Sequence, residues 1–275
     1  MAVIAHACQI LNMNLLTFLK KKSCRVLLFS IILFSTDTAL AQKTGDWHLE
    51  KMPAQLETDF ALSALPAYLR ANATVYLLDP NKGYYVSHKG TNGFLCFVSR
   101  TAWEWGEFRQ DLVTPISYDA VGAASFFKIE EDMAAMRASG KYSGPQVRSI
   151  IVERIKKGEY KVPSRQGISF MLSPIMRSYN GPTSAYKDMM TMNMPHYMFY
   201  APYLTSEDIG NTGDVKNPGP FVANASEPIF GRGKSPYGFI IVPVGKAEKA
   251  KIMKETEGLM KRLIAYKAYL KPGSM

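Results

Sequence analysis

Three runs between residues 74 and 98 carry the alternating or continuously apolar character of strands: residues 74–78, 84–88 and 94–98. Asn81-Lys82-Gly83 and Gly90-Thr91-Asn92-Gly93 supply turns between them, which predicts three short antiparallel strands. In the third, Phe94, Cys96 and Val98 share one face and Leu95 and Phe97 the other, so this strand is expected to be central and covered twice. The period then changes. Trp103, Trp105 and Phe108 stand in a polar loop, after which residues 120–138 and 145–157 space their apolar residues as helices do. The second of these has Ser143 as a cap, a stripe of Val147, Ile150, Ile151 and Ile155, and Gly158 as its stop. Further strands are expected at residues 168–172, 197–200 and 239–244, separated by long Gly- and Pro-rich connections at 173–195 and 202–236. Connections this long inside a compact domain are uncommon unless they build a site or stay mobile, and function is expected there. From residue 247 to 270, Ile252, Thr256, Leu259, Leu263, Tyr266 and Leu270 repeat at spacings of four and three, which predicts one long amphipathic helix. The pattern as a whole predicts an α+β fold: a single domain with a mostly antiparallel sheet, packed helices and a long C-terminal amphipathic helix.

The start of the chain changes the picture of where that domain works. Lys20, Lys21, Lys22 and Arg25 precede an apolar run from Val26 to Phe34, and Ala39-Leu40-Ala41 offers a small-x-small cleavage pattern. Residues 1–41 are therefore expected to be a signal peptide, 42–59 an extended lead-in and 60–275 the domain. The apolar run is too short to span a bilayer, so no transmembrane anchor is expected after cleavage, and the product is expected in the periplasm or outside the cell. The full chain carries a net charge of +10; with the leader and its single acid Asp37 removed, 29 basic and 22 acidic residues remain. That excess makes an anionic envelope component a candidate partner. Its basic residues form no stripe interleaved with aromatics, which argues against nucleic acid. Cys8 and Cys24 lie in the leader, leaving Cys96 as the one thiol of residues 42–275, with no intramolecular disulfide open to it.

Candidate chemistry is sparse. Cys96, with His196 as base and Asp119 or Asn92 to orient it, has the residue types of a thiol hydrolase, although a thiol in an apolar strand is more often core. Met192, Met194 and Met198 crowd around His196, a soft ligand set that suits Cu(I) and equally suits core packing. Asp188, Glu207, Asp208, Asp214 and Glu227 in the long connections could pair as glycosidase carboxylates, yet are ordinarily solvated. The chain has no phosphate-binding glycine loop, no Gly-x-Ser-x-Gly elbow and no His-Glu-x-x-His helix, and no cofactor is expected. Tyr197, Tyr237, Trp103, Trp105 and Asn92 remain as the residues of a ligand-binding surface.

Several motifs taken in order carry a resemblance: Gly90-Thr91-Asn92-Gly93-Phe94-Leu95-Cys96, Pro115-Ile116-Ser117-Tyr118-Asp119, Ile168-Ser169-Phe170-Met171-Leu172, Pro195-His196-Tyr197-Met198, and Ser235-Pro236-Tyr237 running into an apolar strand that ends Pro243-Val244. Between about residues 61 and 244 the chain resembles a family of exported bacterial proteins of unknown function. Ser117 stands where that pattern has a second cysteine, so the resemblance implies that Cys96 descends from a cystine half rather than from a nucleophile. It implies an exported location and one domain, and it assigns no catalytic residue. The reading that follows is a binding or structural module of uncharacterised activity, with the thiol hydrolase and the Cu(I) protein as alternatives.

Overall fold

A computed structural model describes residues 48–179, 188–211, 219–224 and 234–273, which belong to one compact unit, Gln42–Met275. The expected leader and the first residues of the expected lead-in lie outside the described residues. Among the described residues no helix is long and apolar enough to cross a membrane. The chain folds as an α+β domain with mostly antiparallel strand pairing.

The first sheet holds β1 (Thr74–Asp79), β2 (Gly83–His88), β3 (Leu95–Ser99) and β4 (Thr114–Tyr118) in the order β2-β1-β3-β4. β1 and β2 form the expected hairpin, but β3 lies parallel to β1 on its other edge, where the sequence pattern suggests an antiparallel run. The cause is the turn after β2. The N–H groups of Thr91 and Asn92 both donate to the Asn72 carbonyl, at 2.8 and 3.1 Å, so the chain doubles back to where β1 begins. Starting again from there sends β3 in the same direction as β1. Gly90 crosses this point against the main chain of Asn72 and Ala73, and a Cβ there would overlap backbone atoms that cannot swing aside.

All five residues of β3 are buried, as a doubly covered strand requires. Cys96 and Val98 face a core built with α1 (Ala54–Ser63), whose Leu56 and Phe60 pack there beside Leu259 and Leu263 from the C-terminal helices. Leu95 and Phe97 face a second core with Phe126, Phe127 and Met133, Val147 and Ile151. α1 begins inside the segment expected to be extended, residues 42–59, and runs on to Ser63. Its Leu56 and Phe60 are buried one helical turn apart, and Met52, just before the helix, joins the same core. It leads into a short α2 (Ala67–Arg70) behind Pro66.

Both expected long helices are interrupted by a hydroxyl. Residues 120–138 divide into α3 (Ala120–Ala124) and α4 (Phe126–Ala138) at Ser125, whose Oγ donates to the Val121 carbonyl at 2.8 Å. α5 (Gly144–Lys156) begins after Ser143, whose N–H donates to the side-chain oxygen of Gln146. At the C-terminus, α6 (Lys246–Glu255) and α7 (Glu257–Tyr266) part at buried Thr256, whose Oγ1 donates to Ile252 O at 2.6 Å. Bonding back to the carbonyl four residues earlier bends a helix, and the stripe continues beyond the bend.

The second sheet is antiparallel throughout, in the order β5-β8-β10-β9, from β5 (Ile168–Met171), β8 (His196–Tyr200), β9 (Phe221–Asn224) and β10 (Gly238–Pro243). β6 (Met176–Tyr179) and β7 (Met189–Met192) make a separate ribbon inside a connection that the sequence pattern leaves as a loop. The two sheets meet where β5 lies against β4, and side chains replace most of the ladder. Ser117 Oγ donates to Phe170 O at 3.0 Å and accepts from Phe170 N at 3.1 Å, so one hydroxyl occupies the place of a backbone pair. Next to it, Asp119 N donates to Ile168 O at 3.2 Å and Ile168 N donates to Asp119 Oδ2 at 3.1 Å.

Candidate functional site

One concavity on the described surface joins several aromatic side chains to charged groups of both signs. It is a cleft of about 480 Å³ between α2, the face of β5 and β8, and α6. α2 supplies Tyr68, which is 80 % exposed, and Arg70; the sheet supplies Phe170 and Tyr197; α6 supplies Glu248, Lys251 and Glu255. A tyrosine that exposed on a four-residue helix contributes little to the core, which singles it out from the other rings here.

Each wall is fixed locally. Arg70 Nε donates to Leu65 O at 2.9 Å, tying the guanidinium to the turn before α2. Asn92 Nδ2 donates to Leu69 O at 2.8 Å while its Oδ1 accepts from Phe94 N, so the turn before β3 clamps α2. On the sheet, alternation puts Tyr197 on the side of β8 opposite His196 and Met198. The Tyr197 ring meets Phe170 edge to face at 5.8 Å, and its hydroxyl donates to Glu248. Burial and that carboxylate push the Tyr197 hydroxyl up to about 12, so it stays a donor at neutral pH. Burial lowers the Arg70 pKa, yet an arginine remains charged at neutral pH after such a shift. Lys251 lies 3.9 Å from Glu255 at an exposed position, a contact of little energetic weight.

Tyr197 is the ligand-binding residue from the sequence reading that lines this cleft, and Asn92 acts one step behind it by holding α2. The others lie elsewhere. Trp103 is buried in the core beneath α5, and Trp105 stacks on Tyr179 at 4.1 Å and 6°. Tyr237 is buried, edge-on to Phe126 with its hydroxyl donating to Tyr160 O. The tryptophan loop is held from within: Arg137 donates to the carbonyls of Arg100 and Arg109, and Arg100 to those of Leu112 and Gln110. Tyr68, Arg70 and Glu248 escape a sequence reading because they sit in a helix of one turn and on the apparent solvent face of a terminal helix. A ring flanked by Pro66 in so short a segment is the one signal present.

Cys96, His196 and Asp119 make no hydrogen bonds to one another. Cys96 has no exposed surface, its Sγ lies 3.6 Å from Thr74 O, and burial pushes the thiol up to about 12 against a smaller pull from Arg70. His196 is buried too, with Nδ1 2.7 Å from Met194 O. A carbonyl only accepts, so Nδ1 carries the proton, and burial lowers the ring's pKa and keeps it neutral. Asp119 accepts from Val121 N and Gly122 N through Oδ1, at 3.0 and 2.9 Å, and caps α3. Labelling of Cys96 by a thiol reagent at about pH 8 is therefore expected only after denaturation, because burial suppresses the thiolate that reacts. Rapid labelling of the native protein would restore the thiol as a reactive group.

In the soft-ligand group, Met198 lies on the buried side of β8 with His196, Met192 is the register partner of Met176 in the β6–β7 ribbon, and Met194 contributes its carbonyl to His196. Among the described residues no three of His, Cys, Asp and Glu gather as a metal site. Of the proposed glycosidase carboxylates, Asp208 accepts from Thr205 N at 2.7 Å, and Asp214 and Glu227 lie outside the described residues. Neither a protein-family model, nor a curated protein, nor a solved structure matches the chain.

Proposed function

We propose that the chain is an exported binding module whose ligand sits in the cleft between α2, the β5–β8 face and α6. The observation that carries this reading is the cleft itself: a concavity of about 480 Å³ with aromatic walls and fixed charged groups. Small-molecule sites combine apolar walls with a few placed polar groups in this way. Export rests on the basic, apolar and small-x-small order of residues 20–41.

Two measurements test the two halves. N-terminal sequencing of protein recovered from the periplasmic and extracellular fractions is expected to start at Gln42; protein found only inside the cell with its leader intact would overturn export. A ligand screen followed by two-dimensional NMR is expected to shift resonances of Tyr68, Tyr197 and Ala247. Hits that consistently map to another surface would remove the cleft as the site.

A further inference from the structure

We propose that the ligand of this cleft is a small zwitterion with an apolar body, of the size of an apolar amino acid or dipeptide, its carboxylate meeting Arg70 and its ammonium meeting Glu248. The inference rests on the cleft being the binding site and specifies what that site selects.

Two opposite charges line one cavity, and each is held by a single atom. Arg70 is anchored through Nε on Leu65 O, and among the described residues its two terminal amino groups have no hydrogen-bond or ion-pair partner. Glu248 is anchored by the Tyr197 hydroxyl on Oε1, and among the described residues Oε2 has no partner. Of the remaining charges of the cleft, Lys251 stands 3.9 Å from Glu255, and Glu255 also acts electrostatically on Arg70 without forming an ion pair with it, which leaves the guanidinium's donor fork open. What faces the cavity is therefore a fixed cation with a free donor fork and a fixed anion with a free acceptor. A guanidinium with two parallel donors matches a carboxylate, and a carboxylate oxygen accepts from an ammonium. Between them, Phe170 and Tyr197 offer apolar wall and Tyr68 a ring at the mouth. A purely anionic ligand would leave Glu248 facing a like charge, and a purely cationic one would do the same to Arg70, so a molecule bearing both signs fits the arrangement.

The test uses four probes with the purified protein at about pH 6, where an α-amino group is charged. They are L-phenylalanine, its amide, which lacks the carboxylate, its N-acetyl derivative, which lacks the ammonium, and neutral 2-phenylethanol. Binding is followed by shifts at Tyr68 and Tyr197. L-phenylalanine is expected to bind at least tenfold more tightly than the amide or the N-acetyl derivative. In Arg70→Gln the advantage over the amide is expected to vanish while that over the N-acetyl derivative remains; in Glu248→Gln, whose side-chain oxygen still accepts from Tyr197, the reverse is expected. Arg70→Lys, which keeps the charge, is expected to restore part of the first discrimination. Equal binding of L-phenylalanine and either derivative by the parent protein would overturn the proposal, as would variants that weaken all four probes alike. If 2-phenylethanol shifts the cleft and L-phenylalanine does not, the zwitterion falls and the cleft stands. If no probe shifts Tyr68 or Tyr197, the zwitterion falls, and the cleft is judged by the ligand screen alone.

Discussion

Glu57→Gln is expected to raise the melting temperature at about pH 8 and to leave it nearly unchanged at about pH 5. Glu57 sits on the inner side of α1, 3 % exposed, and accepts from Leu78 N through Oε1 at 2.9 Å. The β1–β3 ladder covers only Thr74 and Val75, so the carboxyl serves an amide beyond its end. Burial pushes Glu57 up to about 7, against weaker downward pulls from the Leu78 N–H, Arg100 and Lys51. Around pH 5 the folded carboxyl is largely protonated and carries little penalty. As pH rises from the ordinary carboxyl range toward 7, the unfolded chain gives up its proton first, and stability falls. Above about 7 the full penalty is present, on the order of 3 kcal/mol from the size of the shift.

Glutamine keeps the acceptor and removes the charge, so part of that penalty returns as stability, roughly 5 °C for a domain of this size. Glu130, also pushed upward, to about 8, stays in both proteins, and the comparison isolates Glu57. Melting curves across pH check this. A shift of equal size at both pH values, or a loss of stability at the higher one, would show that Glu57 is already ionised at little cost.

Asp119→Ala is expected to be the most damaging substitution among the candidate site residues, costing roughly 3–5 kcal/mol, because it strands several buried hydrogen-bonding groups at once. Its carboxylate caps α3 through Val121 N and Gly122 N, takes Ile168 N across the junction of the sheets, and shares the Tyr200 hydroxyl proton with Ile168 O at 2.9 and 3.0 Å. Tyr200 has no exposed surface, and Gly122 is needed because a Cβ there would overlap the tyrosine hydroxyl. Tyr200→Phe removes one donor and keeps the ring, so about 1–2 kcal/mol is expected. Because the two residues share a bond, the double variant is expected to cost less than the two singles combined. Denaturant titrations of the three proteins measure this coupling. Additive losses, or an Asp119→Ala protein as stable as its parent, would make Asp119 a solvated surface carboxylate.

The parts legible in the sequence were those set by local pattern. β3 was visible because both its faces are apolar, α5 because Ser143, its stripe and Gly158 agree, and the β1–β2 hairpin because its turn residues are explicit. β4 was hidden by Pro115, which pairs with Val98 inside the strand, and by Ser117 and Asp119, whose polar groups belong to β5 rather than to solvent. The parallel placement of β3 depends on hydrogen bonds to Asn72, and the cleft joins residues 68, 70, 170, 197 and 248. No local period encodes such meetings. Tyr197, named from sequence for ligand binding, lines the cleft, whereas the tryptophans resembled a surface because arginine-to-carbonyl bonds, rather than apolar neighbours in sequence, draw their loop inward.

The Ser117 hydroxyl and the Asp119 carboxylate together also shape how the protein comes apart. Bonds held by one rotatable side chain break one at a time, whereas a strand ladder resists until several yield together. Pulled at its ends, or caught in a brief native fluctuation, the domain is expected to part along the line between β4 and β5 sooner than within either sheet. The amides of Ile168 and Phe170, which bond across that line to Asp119 and Ser117, are then expected to exchange with solvent faster than those inside the β1–β2 or β8–β10 pairs, which hydrogen-exchange measurements check.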